Sequence, residues 1–227
     1  MANTTVTDIE VVEDLTASSR CDKGFLHVRR LRAQNRRGDG TVSEVYRIDM
    51  VERPRLDAVA VLIHRRSANG AVEVLTRLNL RPAAYFRKDR DEPVPDGRVH
   101  LFTEEIVAGL LEPTDRGEEG LRHRAAEEVK EEAGFEVTPA AMEMLGGPFF
   151  VAPGILSEKI FLCAVDVTHR AQIPPRGDGS PLEEGGQIRW RTLDELIAAC
   201  ASGEIQDAKT EIAASRFRDR LSGSFPP

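Results

Sequence analysis

The most regular hydrophobic feature of the chain is the unbroken run Ala58-Val59-Ala60-Val61-Leu62-Ile63, followed across Asn69-Gly70 by Val72-Glu73-Val74-Leu75. An apolar run of this length bounded by a turn dipeptide predicts two buried strands joined by a hairpin. Ile160-Phe161-Leu162-Cys163-Ala164-Val165 predicts a further buried strand, and Gly147 to Gly154 a strand-like approach to a Pro-Gly turn. Upstream, Phe25-Leu26-His27-Val28 and Val45-Tyr46-Arg47-Ile48 alternate apolar and polar positions around Arg36-Arg37-Gly38-Asp39-Gly40, the pattern of a small antiparallel β unit. Three stretches carry helical spacing instead. Ala126 to Ala133 ends at Gly134, where a residue tolerant of positive φ closes a helix, and Phe135-Glu136-Val137 then reads as the start of an extended segment. Thr192 to Cys200 opens with a helix-start signature, and Gly203 to Thr210 leads into a last helix reaching Leu221. The charged, proline-bearing segment Phe86 to His100 and the segment Gln172 to Pro181, with three prolines and two glycines, predict loops.

The chain has 227 residues and 41% hydrophobic content, enough for one sizeable domain with a small appendage. The division read from the pattern is an N-terminal β subdomain over 1–54, whose first 20 or so polar, acidic residues form a flexible start, a main domain over 55–222 and a tail over 223–227. A net charge of −7 argues against a general binder of nucleic acid or anionic membrane. Cys21, Cys163 and Cys200 have neither metal-ligand spacing nor a disulfide pattern, and no basic leader or membrane-length apolar run occurs, so a cytoplasmic protein is expected. The histidines, His27, His64, His100, His123 and His169, are scattered, which disfavours a histidine-centred site.

Charge changes the picture most at Ala126 to Phe135. Four glutamates lie close together there, and helical geometry places Glu128, Glu131 and Glu132 on one face with Arg124. Like charges so arranged repel unless a cation neutralises them. Hard cations such as Mg²⁺ take oxygen ligands and complete their shells with water and substrate phosphates; a solvated acidic face is the ordinary alternative.

The surrounding residues resemble the Nudix hydrolase box. Glu128, Val129, Glu131, Glu132, Gly134 and Phe135 fit its second half, Glu119 fits its earlier glutamate, and Gly109 fits its opening glycine if the loop Leu110 to Glu118 carries three additional residues. Glu127 stands where the family has an arginine that braces the carboxylates; Arg124, one helical turn before Glu128, is the expected substitute. The flanks resemble the ADP-ribose and nucleotide-sugar pyrophosphatase branch, through Thr76 to Pro82, Glu104 to Gly109, Pro153-Gly154 with Glu158, and Glu183 to Trp190.

The resemblance implies an α/β/α sandwich on a mixed sheet, preceded by a small antiparallel β subdomain that takes part in a homodimer. It implies metal ligation by the Ala108 carbonyl and by Glu128, Glu131 and Glu132, with Mg²⁺ as the cofactor and Mn²⁺ as an alternative. Arg81, whose planar donor fork suits phosphate, Glu105 and Gly109 become the substrate-binding candidates. Glu184, with Glu183 next, becomes the candidate base on an acidic loop whose glycines let it bend, although Gly186 replaces a further glutamate. The implied activity is hydrolysis of ADP-ribose to AMP and ribose 5-phosphate. A UDP-glucose or GDP-mannose pyrophosphatase is a second reading, and a nucleotide sensor without turnover is a third, suggested by Glu127 and Gly186.

Overall fold

The computed structural model describes residues 24–177, 179–180, 182 and 185–224. The expected flexible start, most of the expected tail and the two candidate bases, Glu183 and Glu184, lie outside the described residues.

In chain order the strands and helices are β1 (His27–Ala33), β2 (Tyr46–Glu52), β3 (Ala58–Arg66), β4 (Val72–Leu80), α1 (Pro82–Tyr85), β5 (Phe102–Glu105), β6 (Val107–Leu110), α2 (Gly117–Ala133), β7 (Glu143–Met144), β8 (Phe149–Phe150), β9 (Lys159–Asp166), β10 (Ile188–Thr192), α3 (Leu193–Ala201) and α4 (Ala208–Leu221). β1 and β2 form a separate antiparallel ribbon. The other strands form one eight-stranded mixed sheet with the path β10-β4-β3-β9-β7, in which β3 and β9 run parallel and the remaining pairs antiparallel.

The apolar run at 58–63 is continuous because both faces of β3 are covered. Val59, Val61 and Ile63 point to the side where α2 packs with Leu121, Ala125, Val129 and Ala133. Ala58, Ala60 and Leu62 point to the other side, against Leu193 and Leu196 of α3 and Ala213, Ala214 and Phe217 of α4. The result is a layered α/β arrangement with helices on both sides of the mixed sheet.

One feature of the sheet makes room for a site. β3 and β4 pair only near their turn, from His64 with Val74 to Arg66 with Val72, and then diverge. β6 pairs with β3 and β5 with β4, so the Glu105–Leu110 stretch enters where the hairpin opens. Between them Ile106 leaves the strand pairing, and its amide is satisfied by the fully buried Thr210, whose Oγ1 accepts at 2.9 Å. Thr210 in turn donates to Asp207, which caps α4 by accepting from the Thr210 N–H at 3.0 Å. The break in the sheet is thus held from below by a helix cap.

At the end of α2, Gly134 adopts φ 74°. A side chain there would also collide with the Ile173 carbonyl, 1.9 Å from a Cβ. The segment from Phe135 onward does not become the strand expected there: Phe135 makes an isolated β-bridge with Gln172, and no strand follows before β7. Gln172 Nε2 donates to the Ala133 carbonyl at 2.9 Å, so this stretch closes the helix instead of adding a strand. The Phe86–His100 segment is likewise less irregular than a loop at its start, where a 3₁₀ turn over Phe86–Asp89 follows α1. The expected start of α3 is present as a full capping box between Thr192 and Glu195. Among the described residues no helix is long and apolar enough to cross a membrane.

Thr210→Val keeps the side-chain volume but leaves the buried Ile106 N–H without an acceptor. Urea denaturation is expected to show a loss of about 1–3 kcal/mol with an unchanged m-value. Thr210→Ser, which retains the acceptor, should lose less.

Candidate active site

The buried stripe Leu121, Ala125, Val129 and Ala133 fixes α2 against the sheet and thereby decides what its other faces meet. Glu128, Glu131 and Glu132 share a cleft with Ala108, Gly109 and Leu110 of β6 and with Arg55, Glu112 and Arg124. Gly109 is what allows the closest approach. A Cβ at that position would lie 1.8 Å from Glu128 Oε1, so the Glu128 carboxylate rests against bare backbone.

This placement is electrostatically costly. Burial, then the adjacent charges of Glu132 and Glu131, push the Glu128 carboxyl up to about 7. Arg124 offsets part of this, but it does not form the expected pair with Glu128. Its Nε is held by Asp115 at 2.9 Å and its NH1 by Glu127 at 3.0 Å. Asp115, on the loop leading into α2, also accepts from the Glu112 N–H at 2.8 Å, so it claims the guanidinium for bracing that loop.

Arg77 of β4 does reach the cluster, with NH1 3.1 Å from Glu132 Oε2 and a side chain only 7% exposed. The sequence pattern singles out Arg81 and not this residue. The available signal was parity: Arg77 follows Leu75 by two positions, on the strand face that packs toward α2.

Arg81 and Glu105 are brought together. Arg81 Nε and NH2 donate to the two Glu105 oxygens at 2.7 and 2.8 Å, and Lys209 Nζ adds a contact of 2.5 Å. Thr103 also donates to the same carboxylate. Burial would raise the Glu105 carboxyl, but the Arg81 hydrogen bonds and the Lys209 charge outweigh it and hold it at about 2. Glu105 is 3% exposed, whereas the Arg81 side chain remains 47% exposed. The arrangement therefore presents Arg81 outward and keeps Glu105 as its anchor. Lys209 was not anticipated; it comes from the start of α4, distant in sequence and without a local motif.

The donor set of the cleft suits a hard divalent cation: it is carboxylate and backbone oxygen, and Gly109 leaves a cradle that a side chain would fill. Among the described residues no three His, Cys, Asp or Glu side chains form a ready-made cage. A cation here would consequently complete its shell with backbone oxygen, water and ligand, the usual habit of Mg²⁺.

Glu105 gives a pH-dependent prediction. Its folded-state pKa lies below the ordinary 4.5, so its stabilisation is present above about pH 4.5 and is lost as pH falls toward about 2. Glu105→Gln should cost on the order of 3 kcal/mol at pH 7 and less than half of that at pH 3, as read by urea denaturation at each pH.

No protein-family model matches the chain, and no curated protein sequence matches it. In three dimensions it resembles a solved structure titled "Crystal structure of ADP compounds hydrolase", with a TM-score of 0.59, 16% identity, and coverage of 86% of this chain and 87% of that one. That likeness shows a shared fold, and the mixed sheet with flanking helices is the architecture that the Nudix resemblance implies.

Proposed function

We propose that this chain hydrolyses the pyrophosphate bond of a nucleoside diphosphate joined to a sugar, with ADP-ribose as the leading substrate and AMP and ribose 5-phosphate as products. The observation that carries this reading is the Glu128 carboxylate, laid on the Gly109 backbone beside Glu131 and Glu132 in a cleft rimmed by arginines. The structural likeness to a protein titled as a hydrolase of ADP compounds supports the same class of chemistry.

Glu128, Glu131 and Glu132, with the Ala108 carbonyl, would hold Mg²⁺ or Mn²⁺. Such a cation, when bound, neutralises phosphate charge and makes water a better nucleophile. The chain's own residues do the rest. Arg81, oriented by Glu105 and Lys209, binds a phosphate oxygen. Glu105 acts on substrate through Arg81. Arg77 keeps Glu132 in place. Glu184, or Glu183, accepts the proton of the water whose oxygen forms the new P–O bond, while the bridging P–O bond breaks and its electrons leave with the second phosphate. The β1–β2 ribbon would serve a homodimer.

Purified protein with Mg²⁺ is expected to turn over ADP-ribose ahead of UDP-glucose, GDP-mannose and NADH, and to stop when chelator is added. Release of phosphate by a monoesterase that attacks only the products reads this out. A different leader among the four would change the substrate; binding without turnover in Mg²⁺ or Mn²⁺ would instead support a sensor.

Glu128→Gln should lower kcat by about 10²–10³-fold. Its effect on stability should run the other way. A raised carboxyl pKa means that ionised Glu128 costs stability as pH rises from about 4.5 through about 7. In chelator at pH 8 the variant should therefore melt no lower than the wild type; a clear drop in Tm would show that the carboxylate is a structural necessity.

A further inference from the structure

Arg55 is the only non-glycine residue with positive φ among the described residues, at 56°. It follows Pro54 in the turn that joins the β1–β2 ribbon to β3, a setting in which glycine meets the backbone requirement at lower cost. A β-carbon in the left-handed region persists where something else over-determines the position, and such outliers cluster at ligand clamps.

The Arg55 side chain lines the cleft with Glu128, Glu131 and Glu132. Its NH1 lies 2.5 Å from Glu112 Oε1, and the side chain is 44% exposed. Glu112 is itself fixed: its amide donates to Asp115, which Arg124 holds. The backbone beside it is tied to the same turn, with the Leu111 N–H donating to the Asp57 carbonyl at 2.9 Å. The arginine is thus parked on a rim carboxylate at the mouth of an acidic cleft. An exposed ion pair contributes little to stability, so this pairing is a weak reason to retain a strained arginine.

We propose that Arg55 is a substrate-binding residue, which exchanges Glu112 for a phosphate oxygen of a nucleoside diphosphate entering the cleft. The inference rests on the diphosphate reading of the site but not on catalysis. It adds a second arginine to the site, contributed by the turn at the foot of the ribbon, whereas Arg81 comes from the end of β4. The planar fork suits exchange, because carboxylate and phosphate present the same paired acceptor geometry.

The test uses the full chain, Mg²⁺ and the methylene-bridged analogue of ADP-ribose, whose bridge water cannot cleave. Affinity is read by calorimetry and folding by thermal melting. Arg55→Gly is expected to weaken binding about tenfold, as for loss of one charge-assisted contact, while its Tm stays at or above that of the wild type because the turn is relieved. Arg55→Lys, which keeps the charge and loses the fork, should lie between the two. Analogue affinity within about twofold of wild type in Arg55→Gly, or a lower affinity that comes with a lower Tm, would overturn the proposal. A wild type that binds the analogue but cleaves none of ADP-ribose, UDP-glucose, GDP-mannose and NADH would sink the hydrolase reading and leave this one standing. A wild type that cleaves ADP-ribose but does not bind the analogue would leave the hydrolase reading and overturn this one.

Discussion

The constraint on which the site depends is the burial of negative charge against a strand that has no side chain to spare. Glu128 lies on Gly109, and its neighbours Glu131 and Glu132 repel it, so its carboxyl titrates near neutrality. The fold supports this with apolar contacts elsewhere. Alternate residues of β3 feed two separate cores, and the one beneath α2 holds the helix through Leu121, Ala125, Val129 and Ala133, which keeps Glu128 against the Gly109 backbone. The energetic strain of the cluster is local, and a ligand that carries positive charge relieves it.

The arginines and lysine around the cleft are distributed so that the cluster is only partly neutralised. Arg77 reaches Glu132 from the sheet; Arg124 is turned to Asp115 and Glu127; Arg81 and Lys209 are committed to Glu105. Had Arg124 faced Glu128, as the helical spacing suggests, the cleft would be closer to neutral and less suited to a divalent cation. Two kinds of cation result: inward ones that set carboxylate positions, and half-exposed ones, Arg81 and Arg55, each resting on a carboxylate.

The strands at 58–63, 72–75 and 160–165, the helix ending at Gly134 and the Thr192 helix start were legible because each is specified by local pattern or local capping. The acidic face of α2 was legible for the same reason. Arg77, Lys209 and Thr210 were not, since their roles arise from contacts between elements far apart in the chain: β4 with α2, α4 with β5, and α4 with the break at Ile106. The expected strand after Gly134 failed on a tertiary contact too, because Gln172 occupies the helix end. Arg55 carried no sequence signal beyond its place after proline; its backbone angle is a property of the folded turn.

The most direct test of the central claim is the proton balance of metal binding. Mn²⁺ titrated into the protein by calorimetry, in buffers of different ionisation enthalpy, should displace a proton at pH 6 and progressively less as pH rises past 7, if burial and its acidic neighbours raise the Glu128 carboxyl and its ionised form meets the cation. Glu128→Gln should abolish that release. Failure of Mn²⁺ to bind, or binding with the same proton release in the variant, would contradict the account.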